Sequence, residues 1–210
     1  LTARSPSVKI EIELTCSPYY HPIMPLLCNL RNARVALPQL ALPEETFTHQ
    51  EDAQWHLQRA LRRHEGLFGR PPQGIWPPEG SVSEEVARLA IAHKLRWIAT
   101  DEEILWRTLK RGRSASLLYR PHAISRDEGT TAIIFRDREL SDLIGFAYSQ
   151  WAPQAAVQDM LRRVGEIHRE LASQERPGLV SIILDGENAW EFYAGDGTAF
   201  LQELYQALSR

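Results

Sequence analysis

The chain has 210 residues, a net charge of -3 and 43% hydrophobic residues, enough apolar material for one domain of ordinary size. Acids and bases nearly balance, and the arginines that dominate the bases are scattered rather than clustered, which argues against nucleic-acid binding through a basic stripe. No apolar run approaches the roughly 18–20 residues that span a bilayer, so no membrane partner is expected.

Cys16 and Cys28 fall outside any zinc-binding spacing. Two such cysteines suit buried thiols in a reducing, cytoplasmic setting, with a single disulfide as the alternative. No cofactor is called for.

Val8 to Leu14 alternates apolar and polar residues, the pattern of a strand. The passage from Pro18 to Pro43 holds too many breakers for a long helix. Glu51 to Phe68 reads as a helix with Trp55, Leu57, Leu61 and Leu67 on its apolar side and Arg59, Arg62 and Arg63 opposite. Gly69 and Pro71-Pro72 stop it. A short strand, Gly74 to Trp76, runs into Pro77-Pro78-Glu79-Gly80.

Ser81-Val82-Ser83-Glu84 reads as a capping box for a helix to about Lys94, and Thr100-Asp101-Glu102-Glu103 as a second one after a strand at Leu95–Ala99. Thr131 to Phe135 is a strand ending in Arg136-Asp137-Arg138. Asp142 to Tyr148 starts a short helix, and Ala155 to Ser173 is an amphipathic one. Leu179 to Leu184 is a last strand, and Thr198 to Ser209 a last helix. Five strands interleaved with helices, several of them continuous apolar runs, predict an α/β fold with a parallel sheet.

The polar clusters follow the strands, where such folds keep their active sites. In chain order the rim residues are His21, Trp76, Glu79, Asp101, Glu102, Arg136, Asp137, Asp185 and Glu187. Each also has an ordinary explanation. Glu79 is a solvated acid ahead of a helix, Asp101 and Glu102 are first-turn acids, Arg136 to Arg138 is a surface charge cluster, and Asp185-Gly186 is a turn. His21, flanked by Tyr19, Tyr20 and Pro22, reads equally as a core histidine. Against the ordinary readings, Glu79 follows a rigid Pro-Pro and a stacking Trp76. Asp185 follows four apolar residues and precedes Glu187, Asn188 and Trp190, a set suited to sugar hydroxyls and a sugar face.

Five segments in order resemble glycoside hydrolase family 57, most closely its amylase and amylopullulanase-like branch. They are Tyr19-Tyr20-His21-Pro22-Ile23-Met24-Pro25-Leu26-Leu27, Gly74-Ile75-Trp76-Pro77-Pro78-Glu79-Gly80-Ser81-Val82-Ser83, Trp97-Ile98-Ala99-Thr100-Asp101-Glu102, the run from Phe135 through Phe146, and Leu184-Asp185-Gly186-Glu187-Asn188-Ala189-Trp190-Glu191. The resemblance implies a seven-stranded β/α barrel acting on α-glucans (starch, glycogen, maltooligosaccharides) with retention of configuration. It puts the nucleophile on Glu79 and the general acid/base on Asp185. His21, Trp76, Asp101, Glu102, Arg136, Asp137, Glu187 and Trp190 become candidate substrate-binding residues, with no metal.

Two departures stand out. Pro78 occupies a position where a small polar residue is expected. The His-Gln-Pro motif that opens the family is missing, since His49-Gln50 is followed by Glu51. Residues 1–210 are therefore expected to be the later part of a single (β/α)7-barrel catalytic domain. The N-terminal β/α units would be supplied by a missing part of the same domain, and the isolated piece would be poorly active. The competing readings are a metal-dependent polysaccharide hydrolase or deacetylase, which needs clustered histidines although only His21 lies near a strand end, and a carbohydrate-binding protein without turnover.

Overall fold

The computed structural model describes residues 12–173, 177–186 and 188–209, and of Asn188 only the backbone. The chain divides into two compact units. One, the sheet unit, comprises Thr15–Asp137 with Gly178–Ser181; the other, the helical unit, comprises Leu1–Leu14, Arg138–Pro177 and Ile182–Arg210.

The sheet unit carries four strands, β1 (Gly74–Ile75), β2 (Trp97–Asp101), β3 (His122–Arg126) and β4 (Gly129–Arg136), in the order β1-β2-β4-β3. β1, β2 and β4 run parallel, and the register sets Gly74 against Trp97 and Asp101 against Arg136. That first pair explains a glycine: a Cβ on Gly74 would lie 2.1 Å from the Trp97 indole. Isolated parallel bridges extend the sheet at Cys16 beside Ile75 and at Ser181 beside Arg136.

Helices α1 (Met24–Cys28), α2 (Ala33–Ala36), α3 (Gln50–Phe68), α4 (Glu84–Ala92), α5 (Glu102–Leu109) and α6 (Ala115–Leu118) flank these strands. Met24, Ala53, Leu57, Ile75, Val86, Ala90, Ile98 and Phe135 are buried in the core of this unit.

Several expectations change. Val8 to Glu11 lie outside the described residues; Ile12 to Leu14 form no strand, and Ile12 is 79% exposed. The β3–β4 hairpin is antiparallel, which departs from the expected parallel sheet, and it puts His122 on a strand. β4 buries Thr131, Ile133 and Phe135 while Ala132 and Ile134 are half-buried, so it is not sealed on both faces.

Leu179 to Leu184 is not a regular strand. Only Ser181 bridges Arg136, while the Leu179 amide donates to the Tyr119 carbonyl at 2.8 Å, and among the described residues no ladder continues past Ser181. In α3 the buried face is Ala53, Leu57, Ala60 and His64, leaving Trp55 and Leu67 exposed. The i, i+4, i+7 spacing of Ala53, Leu57 and Ala60 decides the face over Trp55 and Leu67.

The helical unit contains α7 (Arg138–Asp142), a π turn at Leu143–Ala147, α8 (Pro153–Ala172), α9 (Asn188–Glu191) and α10 (Thr198–Leu208). Its core gathers Tyr148, Met160, Tyr193 and Phe200. Tyr193 donates to the Ile144 carbonyl at 2.6 Å, and Tyr148 donates to Asp159 at 2.7 Å.

Candidate active site

Glu79 sits on a strained and heavily tethered loop. Pro77 and Pro78 fix two φ angles after β1, and Pro78–Gly80 closes a 3-10 turn. Glu79 and Gly80 follow one another in the left-handed region, at φ +55° and +63°. Glycine tolerates this; glutamate bears about 1–2 kcal/mol for it.

The turn is held by alternate carbonyls, each accepting from a hydroxyl. Thr15 donates to Gly74, Ser17 to Trp76 at 2.9 Å, Ser81 to Pro78 at 2.7 Å, and buried Thr100 to Gly80 at 2.6 Å. The Trp76 ring lies over Gly80, where a Cβ would come within 2.9 Å of it. The Glu79 carboxylate is 75% exposed, with His21 Nε2 at 3.6 Å from its Oε1. His21 is half exposed and also left-handed, at φ +55°, so it is not a core histidine.

The capping assignments shift by one or two residues, and the reason lies in these tethers. Ser83, not Ser81, caps α4, because the Ser81 hydroxyl is turned to Pro78. Asp101, not Thr100, caps α5, accepting from the Glu103 amide at 2.9 Å, because Thr100 holds Gly80.

At the carboxyl ends of β2 and β4, the sheet register brings Asp101 and Arg136 together, with Arg136 Nη1 at 3.6 Å from Asp101 Oδ2. The residue that follows each strand is buried. Glu102 and Asp137 are 5% and 1% exposed, and both are bound by Arg113, at 3.3 Å and 3.5 Å.

Trp106 Nε1 donates to Glu102 at 3.0 Å, and the Tyr119 hydroxyl donates to Asp137 at 2.6 Å. Burial lowers the affinity of Arg113 for its proton, but Glu102 and Asp137 outweigh it and hold the guanidinium charged above its usual range. The Tyr119 hydroxyl is pushed up by burial and by its bond to Asp137. Arg113, Trp106 and Tyr119 were not singled out from the sequence. Trp106 stands four residues after Glu102 on one helix, a spacing that signals such a pair. Arg113 and Tyr119 carry no local signal.

The other candidates belong to the helical unit. Asp185 lies on an exposed loop after Leu184. Glu187 lies outside the described residues. The Trp190 ring packs with Tyr193 and Phe200, at centroid distances of 5.4 Å and 6.4 Å, and over Gly197, whose Cβ would lie 2.5 Å away. Gly197 adopts φ +73°, so a side chain there meets both strain and the ring.

Among the described residues no group of three or more His, Cys, Asp or Glu side chains is placed to hold a metal ion. No helix among them is long and apolar enough to cross a membrane.

The solved structures similar to the chain include three that are named for action on α-glucans or for their family. The GH57-type branching enzyme of the hyperthermophilic archaeon Pyrococcus horikoshii has a TM-score of 0.70 and 16% identity, over 94% of this chain and 42% of that one. The α-amylase AmyC of Thermotoga maritima has a TM-score of 0.65 and 13% identity, over 93% and 45%. The 4-α-glucanotransferase of Thermococcus litoralis has a TM-score of 0.55 and 16% identity, over 94% and 24%.

The chain thus spans less than half the length of each, and at these identities the likeness is one of fold. No curated protein matches the chain by sequence. The profile of glycosyl hydrolase family 57 matches residues 8–210, and the chain belongs to that family.

Proposed function

We propose that the chain is part of the catalytic (β/α)7 barrel of a retaining α-glucan hydrolase or transglycosylase working by double displacement. The observation that carries this reading is the Glu79 loop: an exposed carboxylate held in a costly backbone conformation by four hydroxyl tethers, beside a histidine and a tryptophan. Backbone strain of this kind collects at functional sites. Family membership and neighbours named as a branching enzyme, a glucanotransferase and an amylase support α-glucan as substrate.

In this reading Glu79 attacks the anomeric carbon as a carboxylate and forms a glycosyl-enzyme ester. Asp185 protonates the departing oxygen, then removes the proton from the incoming water or sugar hydroxyl. The acceptor decides between hydrolysis and transfer.

Trp76 offers a ring to a sugar face, while His21, Asp101 and Arg136 supply hydrogen bonds to hydroxyls, joined by Glu187 and Trp190. Glu102 and Asp137, the residues directly after Asp101 and Arg136, are buried and bound by Arg113, which leaves them little access to sugar. Retention requires the two carboxyls roughly 5–5.5 Å apart when the domain is assembled.

Glu79→Gln and Asp185→Asn in the full-length protein should each reduce turnover on maltooligosaccharides by several orders of magnitude. The first-formed product anomer, read by NMR, should keep the substrate's configuration. Near-wild-type rates in either variant, or an inverted anomer, would overturn the assignment.

A further inference from the structure

We propose that Tyr20 and Trp55 form a stacking platform for an α-glucan chain, an outer sugar site that adjoins the Glu79 loop. The proposal rests on the α-glucan reading above and adds a place to bind sugars away from the bond being broken. Both rings stand open to solvent, Tyr20 at 79% and Trp55 at 46%. Their centroids are 6.5 Å apart and their planes within 33° of parallel. Tyr19 packs edge-on to Trp55 at 6.0 Å and is capped on its face by Arg59 at 5.5 Å, which fixes it as a support. The Tyr19 amide donates to the His56 carbonyl at 3.1 Å and ties this turn to α3.

The arrangement is a poor one for stability alone. Tyr20 is left-handed at φ +61° and is followed directly by His21 at φ +55°. A bulky residue with positive φ is an outlier, and the exposure of Tyr20 returns little burial in exchange. Next to these rings, among the described residues, His56 Nδ1 is a buried nitrogen without a hydrogen-bond partner. Its ring meets Trp55 and Tyr20 edge-on at 5.1 Å and 6.1 Å.

What the turn achieves is display. It lifts Tyr20 outward while its neighbour His21 stands 3.6 Å from the Glu79 carboxylate. The apolar C–H face of a glucose ring matches the electron-rich face of an aromatic ring, so exposed rings beside a glycosidic site suit a polysaccharide. A glucan bound across Tyr20 would reach His21 next.

The test uses full-length protein carrying Glu79→Gln, so that glucan is not consumed, titrated by calorimetry with maltoheptaose and with maltose. Tyr20→Ala and Trp55→Ala should each weaken maltoheptaose about tenfold with little effect on maltose, while Trp55→Phe keeps much of the affinity. Tyr20→Gly should weaken maltoheptaose equally while raising Tm, since glycine accepts the left-handed backbone without strain. Maltoheptaose binding that is unchanged in these variants overturns the platform and leaves the α-glucan reading standing. If neither sugar binds the protein with Tyr20 and Trp55 intact, the α-glucan reading fails and the platform with it.

Discussion

Alternate carbonyls along Gly74 to Gly80, each taken by a separate hydroxyl, hold Glu79 where an unsupported chain would relax. Thr100 is the most telling of the four donors, because it is fully buried and reaches the loop from the neighbouring strand. Thr100→Val keeps its shape and removes the bond, leaving the Gly80 carbonyl unsatisfied at a cost of about 1–3 kcal/mol. Tm should fall by several degrees, and kcat should fall more than KM rises, because loop position rather than ground-state binding is lost. An unchanged kcat at a lowered Tm would show that the tether serves stability only. The loop itself was legible from Trp76, the proline pair and Gly80. Its hydroxyl partners were not, because Thr15 and Ser17 lie 59 residues from the carbonyls they hold.

Helices were read well in extent and less well in orientation. Periodicity, breakers and a capping box located α3, α4, α8 and α10 to within a few residues. The bulk of Trp55 suggests the inner side of α3, but the spacing of Ala53, Leu57 and Ala60 sets the buried face. The β3–β4 hairpin carries only a turn signal, Asp127-Glu128-Gly129, because His122-Ala123-Ile124-Ser125-Arg126 does not alternate apolar and polar residues.

Along α8, Asp159 gathers hydrogen bonds from Arg163, Arg162 and Tyr148, which hold its carboxyl well below the usual carboxylate range. A carboxyl depressed in the folded state stabilises fully above its unfolded value, and that stabilisation drains away as pH falls through the folded value. Acid unfolding should therefore steepen below about pH 4, the unfolded Asp value. Asp159→Asn should flatten that limb. An identical acid limb in the variant, followed by circular dichroism, would show that Asp159 does not govern it.

At the scale of the whole molecule, family and α/β class were legible because five motifs keep their order along the chain. The strand neighbours at the sheet edges were not, since they leave no local pattern in the sequence. The three solved structures exceed this chain more than twofold in length. On the proposed reading, starch turnover by these 210 residues alone is expected to fall far below that of a protein carrying the whole barrel, measured as reducing ends released per mole. Comparable rates would show that the piece holds a complete cleft.

One edge of β4 serves two partners. Its first five residues, Gly129 to Ile133, pair antiparallel with β3, and only its last residue, Arg136, meets Ser181 in parallel. The hairpin therefore stoppers the amino end of this seam and leaves the carboxyl end open to a parallel neighbour. Continuation of the sheet is confined to a narrow gap at the level of the Asp101–Arg136 pair. A mutation that lengthened or unzipped the hairpin would act as a change of gasket, altering how tightly the seam shuts beside that pair without touching either residue.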